Sequence, residues 1–337
     1  MRTVLRILIL LLAVAILTPA PAGAQQKLAQ TGMKFLNVEP DPRAAALGGA
    51  FTAVEGSAAS AFFNPAGTAR LNSFGQVFFG YTEWIADIKH IFGSVSLSPE
   101  RGDYGVVTLS IQAVDYGELD QTVFYNNNQG YLDLGTFRPR GLMLGLGYSR
   151  ALSEKFSIGG TVKYVSQNLG SALASLNSAN TTYQRDYFST DVMAFDFGML
   201  YKTGFKSLTL GMCVRNFSKE ARYVTEGFQL PLAFRIGIAM DVLDLASVDK
   251  NIHSLTLIVD AEHPRDFPEQ IKVGGEYLFM KTVAIRAGYV SPADEHGFSF
   301  GVGLRQAVDQ LGLGFDYAYT PFGVFGGVQR FSFILSM

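Results

Sequence analysis

The chain has 337 residues, of which 48% are hydrophobic and only 17% are charged, and its formal net charge is −2. This near-neutral balance, without a block of like charges, gives no electrostatic basis for binding nucleic acid, and the single cysteine, Cys213, excludes an internal disulfide framework and a multi-cysteine metal site. Soluble domains usually carry about 25% charged residues, so something other than charge must occupy many of the polar positions.

The N-terminus has the pattern of a secretory signal. Two arginines precede eleven consecutive apolar residues at 7–17, and a small-residue triplet follows at 22–24. Eleven residues are too few for a membrane-spanning helix, which needs about 20, and an ordinary core helix would not explain the basic start and the small-residue end together. We therefore predict a signal peptide over residues 1–24 and an exported chain that begins at Gln25.

Residues 25–72, named here the N-terminal segment, are rich in small side chains, with ten alanines between Ala44 and Ala69. The stretch DPRAAALGG has the signals of a short helix, with Asp41 as N-cap, proline in the first position and glycines at the end, and NPAG repeats this pattern with Asn64 as the cap.

Small side chains let a segment pack closely against its surroundings. We predict that the segment is a plug, or hatch, inside a barrel. The alternative, an exposed periplasmic tail, agrees poorly with its phenylalanines. The predicted hatch motif consists of Arg43, Gly48, Gly49, Asn64, Pro65, Ala66 and Gly67.

Residues 73–337 form the predicted barrel domain, because the pattern after Gly75 alternates with a period of two. In GLMLGLGYS (141–149), for example, the leucines share one face and the glycines the other. We predict an all-β fold, a transmembrane antiparallel barrel of about 14 strands, several of them about 10 residues long, which is the span of a tilted membrane strand. The predicted segments are 75–84, 88–98, 103–114, 140–150, 156–168, 190–202, 207–217, 230–242, 252–262, 269–279, 281–290, 297–306, 309–319 and 327–337.

A soluble β-sandwich would also have alternating strands, so the polar face decides between the two folds. A sandwich would expose that face to water and favour Lys, Glu and Thr, whereas here it holds Gly, Ala, Ser and sparse charges of both signs. Such charges can pair across a crowded lumen, which leaves the apolar face to outer-membrane lipid. Ile236→Arg should accordingly impair assembly much more than Gly237→Ser on the opposite face. The predicted lumen charges are Arg235, Lys272, Glu276, Arg286, Arg305 and Asp316.

The connections alternate in length, as a bacterial pore-type barrel requires. Long loops are predicted at 116–139, 170–189 and 217–229, with short turns between them. The last strand, RFSFILSM, ends the chain with alternating apolar residues, although Met337 stands where such barrels usually have an aromatic residue. The aromatic residues predicted for the interfacial girdles are Tyr81, Trp84, Tyr148, Tyr201, Tyr277 and Tyr319.

The stretch FLNVEPDPRAAALGGAFTAVEGSAASAFFNPAGTARL (35–71) resembles the N-terminal signature of the PorV/PorQ family, a branch of the FadL-like outer-membrane barrels. The features that carry the resemblance are the FL start, the GGAF core and the final NPAG, behind a signal peptide; Pro42 stands where the family usually has alanine. The resemblance implies a fourteen-stranded outer-membrane barrel with an N-terminal hatch. It also implies a role in type IX secretion, either in binding the C-terminal signal of secreted cargo at the translocon or as part of the surface attachment machinery. The implied partners are a translocon subunit and the C-terminal signal of secreted cargo.

The sequence contains no complete motif for a nucleotide, metal or catalytic site. The paired glycines inside strands lack the following helix that a dinucleotide site needs. The acidic residues and histidine of 260–269 could hold a divalent ion but lack a recognised spacing, and the four histidines have no serine motif beside them. We therefore assign no catalytic residue, cofactor or metal.

The sequence favours a secretion component whose long loops bind partners. The alternatives are a FadL-like transporter of hydrophobic small molecules and a porin-like barrel without a dedicated client.

Overall fold

In a computed structural model, the protein forms a closed antiparallel β-barrel of fourteen strands, which confirms the predicted fold class. The structure describes residues 31–175, 183–246, 248–293 and 297–337. The predicted signal peptide lies outside these ranges. None of the helices in the described ranges has the length and hydrophobicity of a membrane span.

Each predicted strand segment overlaps one barrel strand, and the ring closes where the last strand pairs with the first. In the part of the chain that the structure describes, two minor hairpins add four short strands outside the ring. The barrel strands are β1 (Gly75–Glu83), β2 (Lys89–Leu97), β3 (Val106–Asp115), β6 (Arg140–Ala151), β7 (Phe156–Ser175), β8 (Tyr183–Lys202), β9 (Thr209–Ser218), β12 (Ala233–Asp241), β13 (His253–Pro264), β14 (Gln270–Phe279), β15 (Val283–Ser291), β16 (Phe298–Val308), β17 (Leu311–Pro321) and β18 (Gly327–Ser336). The minor strands are β4 (Leu119–Phe124), β5 (Tyr131–Phe137), β10 (Ala221–Arg222) and β11 (Gly227–Phe228).

The alternation predicted for the strands is confirmed by their burial. In β6, the glycines at 141, 145 and 147 are buried, while Leu144, Leu146 and Tyr148 are exposed. The other barrel strands repeat this arrangement, so large apolar side chains cover the outside of the ring. An exposed apolar surface of this extent marks a surface that another apolar phase covers.

Two of the predicted long loops differ from expectation. Residues 170–189 are mainly strand, because β7 and β8 stay paired beyond a register shift that follows Asn168; residues 176–182 lie outside the described ranges. The predicted loop at 116–139 contains the β4–β5 hairpin. A hydrogen bond from Gln121 to the Ser171 carbonyl joins this hairpin to the extended part of β7.

Trp84 was predicted to lie in a girdle at the lipid interface, and this prediction is wrong. The inward positions of β1 have even numbers, from Gln76 to Thr82, and Trp84 continues their order. Its ring lies 5.0 Å from that of Phe322 and packs against the buried cluster inside the barrel. A side chain that continues the inward phase of its strand cannot reach lipid.

The N-terminal segment contains the two capped turns that its sequence predicts. Helix α1 (Pro42–Ala46) begins after Asp41, whose carboxylate accepts the Arg43 N–H at 2.9 Å. The helix is followed by Gly48 and Gly49 with φ of 68° and 79°, the left-handed region that glycine adopts without strain. The second turn, Pro65–Thr68, is a 3₁₀ helix capped by the Asn64 side chain.

Candidate functional site

The N-terminal segment runs along the barrel from the long-loop end to the short-turn end. Near its described start, the Gly32 N–H donates to the Gln229 carbonyl at 3.1 Å, and just after its end Gly75 pairs with Met337. Between these points most side chains are buried, including all five residues of 50–54. The segment and the inner wall therefore share one packed core.

Polar contacts join the segment to strands on different sides of the ring. Ser94 of β2 donates to the Ala58 carbonyl at 2.9 Å, and the Gly48 N–H donates to the Ser299 hydroxyl of β16 at 3.1 Å. On β13, one oxygen of Asp260 accepts both the Phe51 and the Thr52 N–H, each at 2.9 Å. A chain that bonds to such widely separated strands lies within the ring that they form.

Glycines on the wall allow this close approach. At Gly288, an added Cβ would lie 2.0 Å from the Gly48 nitrogen, and at Gly211 it would lie 2.4 Å from the Thr52 carbonyl oxygen. Real Cβ atoms do not approach backbone this closely, so any other residue would displace the segment. The wall glycines whose Cβ would strike the segment within 3.0 Å are Gly80, Gly141, Gly159, Gly198, Gly211, Gly237, Gly274, Gly288 and Gly301.

Arg43 carries the charge that links the segment to the lumen network. Its Nε and Nη2 donate to the two Glu276 oxygens at 2.8 and 2.6 Å, a bidentate pair. The chain of ion pairs continues from Glu276 to Arg286 at 2.5 Å, to Asp316 at 2.7 Å and to Arg305 at 2.8 Å. Four of the six predicted lumen charges thus lie in one network with a residue of the predicted hatch motif.

The other two predicted lumen charges form a second network. Arg235 donates to Glu262 at 2.9 Å, and Lys272 lies 2.6 Å from the other Glu262 oxygen. Lys272 is also 3.6 Å from Glu39 of the N-terminal segment. Both networks therefore connect the wall to the segment.

The NPAG motif fits against β7 and β8. The Asn64 side chain donates to the Thr52 carbonyl at 2.7 Å and to the Met199 carbonyl of β8 at 3.1 Å, while its oxygen accepts the Ala66 N–H at 3.1 Å. Pro65 and Ala66 lie against Gly159, and Gly67 leaves no space for a side chain beside the Val54 carbonyl. One asparagine thus caps a turn and ties it to both the segment and the wall.

The two charged residues at the start of α1 have shifted pKa values. Burial raises the pKa of Asp41 to about 6, and the negative charge of Asp316 contributes in the same direction, against the N–H bond from Arg43. Burial alone would lower the pKa of Arg43, but the Glu276 carboxylate outweighs this effect and the net shift is upward. Arg43 therefore stays charged, whereas Asp41 is poorly suited to carry a charge.

Sequence reasoning missed the role of Asp260 as a double acceptor for the segment backbone, and it missed Glu39 and Glu262 as partners of lumen cations. Their positions in the strand alternation could have placed Asp260 and Glu262 inside. The groups that these carboxylates contact depend on which strands pair and on the path of the segment. Neither can be read from a local sequence pattern.

The acidic stretch 260–269 does not converge on one point. Asp260 and Glu262 face inward, while His263 pairs with Glu269 at 2.8 Å on the exposed surface. Within the described residues, no group of three or more His, Cys, Asp or Glu side chains could hold a metal ion.

Comparisons with known proteins agree with this architecture. A family model described as "Type IX secretion system protein PorV" matches residues 21–260. Among solved structures, the Ralstonia pickettii toluene transporter TbuX is similar over 89% of this chain and 98% of its own, with a TM-score of 0.55 and 12% identity. The Pseudomonas putida toluene transporter TodX is similar over 93% of this chain and 99% of its own, with a TM-score of 0.57 and 11% identity. At these identities the likeness concerns the fold alone. No curated protein matches the sequence.

Proposed function

The chain belongs to the PorV family of type IX secretion system proteins, and from this premise we propose that it serves protein export by binding secreted cargo or a translocon subunit at its long-loop end. Family and fold make it an outer-membrane β-barrel. The family resemblance of residues 35–71 is confirmed by the match. Short turns of such barrels face the periplasm and long loops face outward, so the proposed binding surface lies on the cell exterior.

The observation that carries this proposal is the exposed aromatic surface of the outer hairpins. Phe124 in β4 is 81% exposed and Tyr187 in β8 is 69% exposed. The strands β7 and β8 have 20 residues each, which corresponds to roughly 65 Å of extended chain. At the usual tilt of about 40° this spans about 50 Å along the membrane normal, about twice the roughly 25 Å apolar band of such barrels. Aromatic side chains held beyond the membrane on hairpins are typical of protein-binding surfaces.

The packing inside the barrel supports binding at the surface over conduction through the lumen. Two ion-pair networks, a capped turn and a row of glycine contacts hold the N-terminal segment against the wall. We propose that the segment acts as a hatch that keeps the lumen closed and the barrel rigid. Binding residues concentrate on loops that a rigid scaffold positions.

Affinity purification from the host outer membrane tests the proposal. We expect the tagged protein to recover a type IX translocon subunit or cargo with a C-terminal secretion signal, and Phe124→Asp to reduce this recovery at least fivefold. The matched control is Phe205→Asp, which changes a phenylalanine 57% exposed at the short-turn end. Recovery of no secretion component, or equal losses in both variants, would contradict the proposal.

A transporter of hydrophobic small molecules is the second candidate, favoured by the likeness in fold to the two toluene transporters. In this case the N-terminal segment would move to admit a ligand. Uptake of labelled toluene into vesicles that contain the protein tests it, with deletion of residues 44–67 as the variant. Uptake that depends on this segment would favour transport over partner binding.

A further inference from the structure

A cavity of about 490 Å³ opens at the short-turn end, between the N-terminal segment and the wall. The turn at 280–282 and residues of β16, β17, β18 and β1 line one side, and Arg43, Gly56 and Ser57 of the segment line the other. The size lies within the range of about 300–1,000 Å³ that is usual for small-ligand sites.

Among the described residues, all charged side chains in the lining are cations. They are Arg43, Lys281 and Arg305, and the acidic partners Glu276 and Asp316 are not part of the lining. Glu276 and Asp316 pair with the two arginines but do not line the cavity, so the charged groups that a ligand meets there are cationic. The rest of the described lining is mixed. It has the polar side chains of Gln76, Thr282, Gln306 and Ser336 and the apolar side chains of Met280, Ala307, Leu313 and Ile334.

Both arginines keep part of their hydrogen-bonding capacity for a ligand. The Arg43 side chain is 23% exposed and uses Nε and Nη2 for Glu276; within the described residues, its Nη1 has no hydrogen-bond partner. The Arg305 side chain is 27% exposed and uses Nη2 for Asp316 and Nη1 for the Leu304 carbonyl; within the described residues, its Nε has no hydrogen-bond partner. A planar anion that enters the cavity can therefore accept hydrogen bonds from the segment and from the wall together.

We propose that this cavity binds a small anion with several carboxylate groups, which enters from the periplasm. Guanidinium groups match carboxylates in geometry and charge, and three cations without an acid in the lining favour more than one negative charge. Because Arg43 belongs to the segment and Arg305 to β16, the bound anion would fasten the segment to the wall. Anion binding here does not depend on a role in secretion.

Calorimetric titration of the purified full-length protein, in non-ionic detergent at low salt, tests the proposal with citrate as the probe. We expect saturable binding, at least tenfold weaker in Arg305→Gln and weaker again when salt screens the charges. Lys206→Gln is the matched control, because Lys206 is an exposed cation in another turn of the same end. Heat-dependent migration in gels verifies that each variant is folded.

A capped tri-glutamate peptide, titrated in parallel, separates the two sources of carboxylate. Tighter binding of citrate indicates a free small acid, and tighter binding of the peptide indicates an acidic segment of a partner protein; either result supports a carboxylate site. Absence of binding by both probes would overturn the proposal. So would equal weakening in Lys206→Gln and Arg305→Gln, or binding of inorganic phosphate in preference to both carboxylate probes.

Discussion

The two faces of the barrel wall have different partners, and they are constrained in different ways. The outward face presents apolar side chains such as Ile236 and Leu146, and its partner is fluid acyl chain that accommodates any apolar shape. The inward face presents glycines and paired charges, and its partner is a fixed stretch of backbone from the same chain. Polarity alone constrains the first face, whereas shape and pairing constrain the second.

The strongest test of this difference compares two glycines on neighbouring strands. A Cβ at Gly288 would lie 2.0 Å from the Gly48 nitrogen, whereas a Cβ at Gly275, on the outward face, would have Leu257 as its nearest neighbour at 3.5 Å. We expect Gly288→Val to expel the segment at a cost of about 5 kcal/mol, the upper end for single substitutions, and Gly275→Val to change stability by about 0.5 kcal/mol. Urea unfolding in lipid vesicles and protease cleavage within 44–67 measure both effects. Similar effects of the two substitutions would contradict the close approach.

Removal of one partner from the ion-pair network should have the next largest effect. Glu276 accepts from both Arg43 and Arg286, so Glu276→Gln leaves the buried Arg286 and the partly buried Arg43 incompletely paired. The expected loss is about 3–5 kcal/mol, the cost of breaking a buried pair. If the pair acts as a unit, Arg43→Gln combined with Glu276→Gln should cost less than the sum of the single losses. Additive losses would show that the two groups do not interact.

A charge on the outward face should cost somewhat less. Ile236→Arg places a cation toward the acyl chains, at about 2–4 kcal/mol near the middle of the bilayer, while Ile236→Leu serves as the neutral control. The sequence predicted that Gly237→Ser would be much milder than Ile236→Arg, but a Cβ at Gly237 would lie 2.0 Å from an Asp260 oxygen. We therefore expect Gly237→Ser to be destabilising as well. A loss for Ile236→Arg no greater than for Ile236→Leu, in unfolding from vesicles, would argue against lipid contact.

The outward face and the strand order were predictable because both follow from local alternation. Each strand carries its own phase, so the lipid side can be assigned strand by strand. The error at Trp84 came from assigning it by residue type, since aromatic residues are common in interfacial girdles. Its even number, which continues the inward positions of β1, already placed it inside. The caps at Asp41 and Asn64 were predictable for the same local reason.

The partners within the site were not predictable from local pattern. Glu276 and Arg286 face each other directly across β14 and β15, and knowledge of that register would have been enough to pair them. Arg43 lies 233 residues from Glu276 in sequence, and only the path of the segment through the closed ring brings them together. The length of β7 and β8 was missed because their outer parts lose the apolar alternation that marks membrane strands.

The smallest effect expected concerns the cap that begins α1. Asp41→Ala removes the acceptor for the Arg43 N–H and should cost about 1 kcal/mol, while Asp41→Asn keeps an acceptor and should change little at low pH.

Because burial raises the Asp41 pKa from 3.8 to about 6, the carboxyl group contributes most to stability below pH 4, and this contribution is lost as the pH rises through 6. The Asn variant has no such group, so its stability relative to the wild type should improve between pH 4 and pH 7. Unfolding midpoints of the three proteins at both pH values measure this; a relative gain by the wild type at pH 7 would mean that ionised Asp41 stabilises the segment and that the inner face tolerates charge beyond its ion pairs.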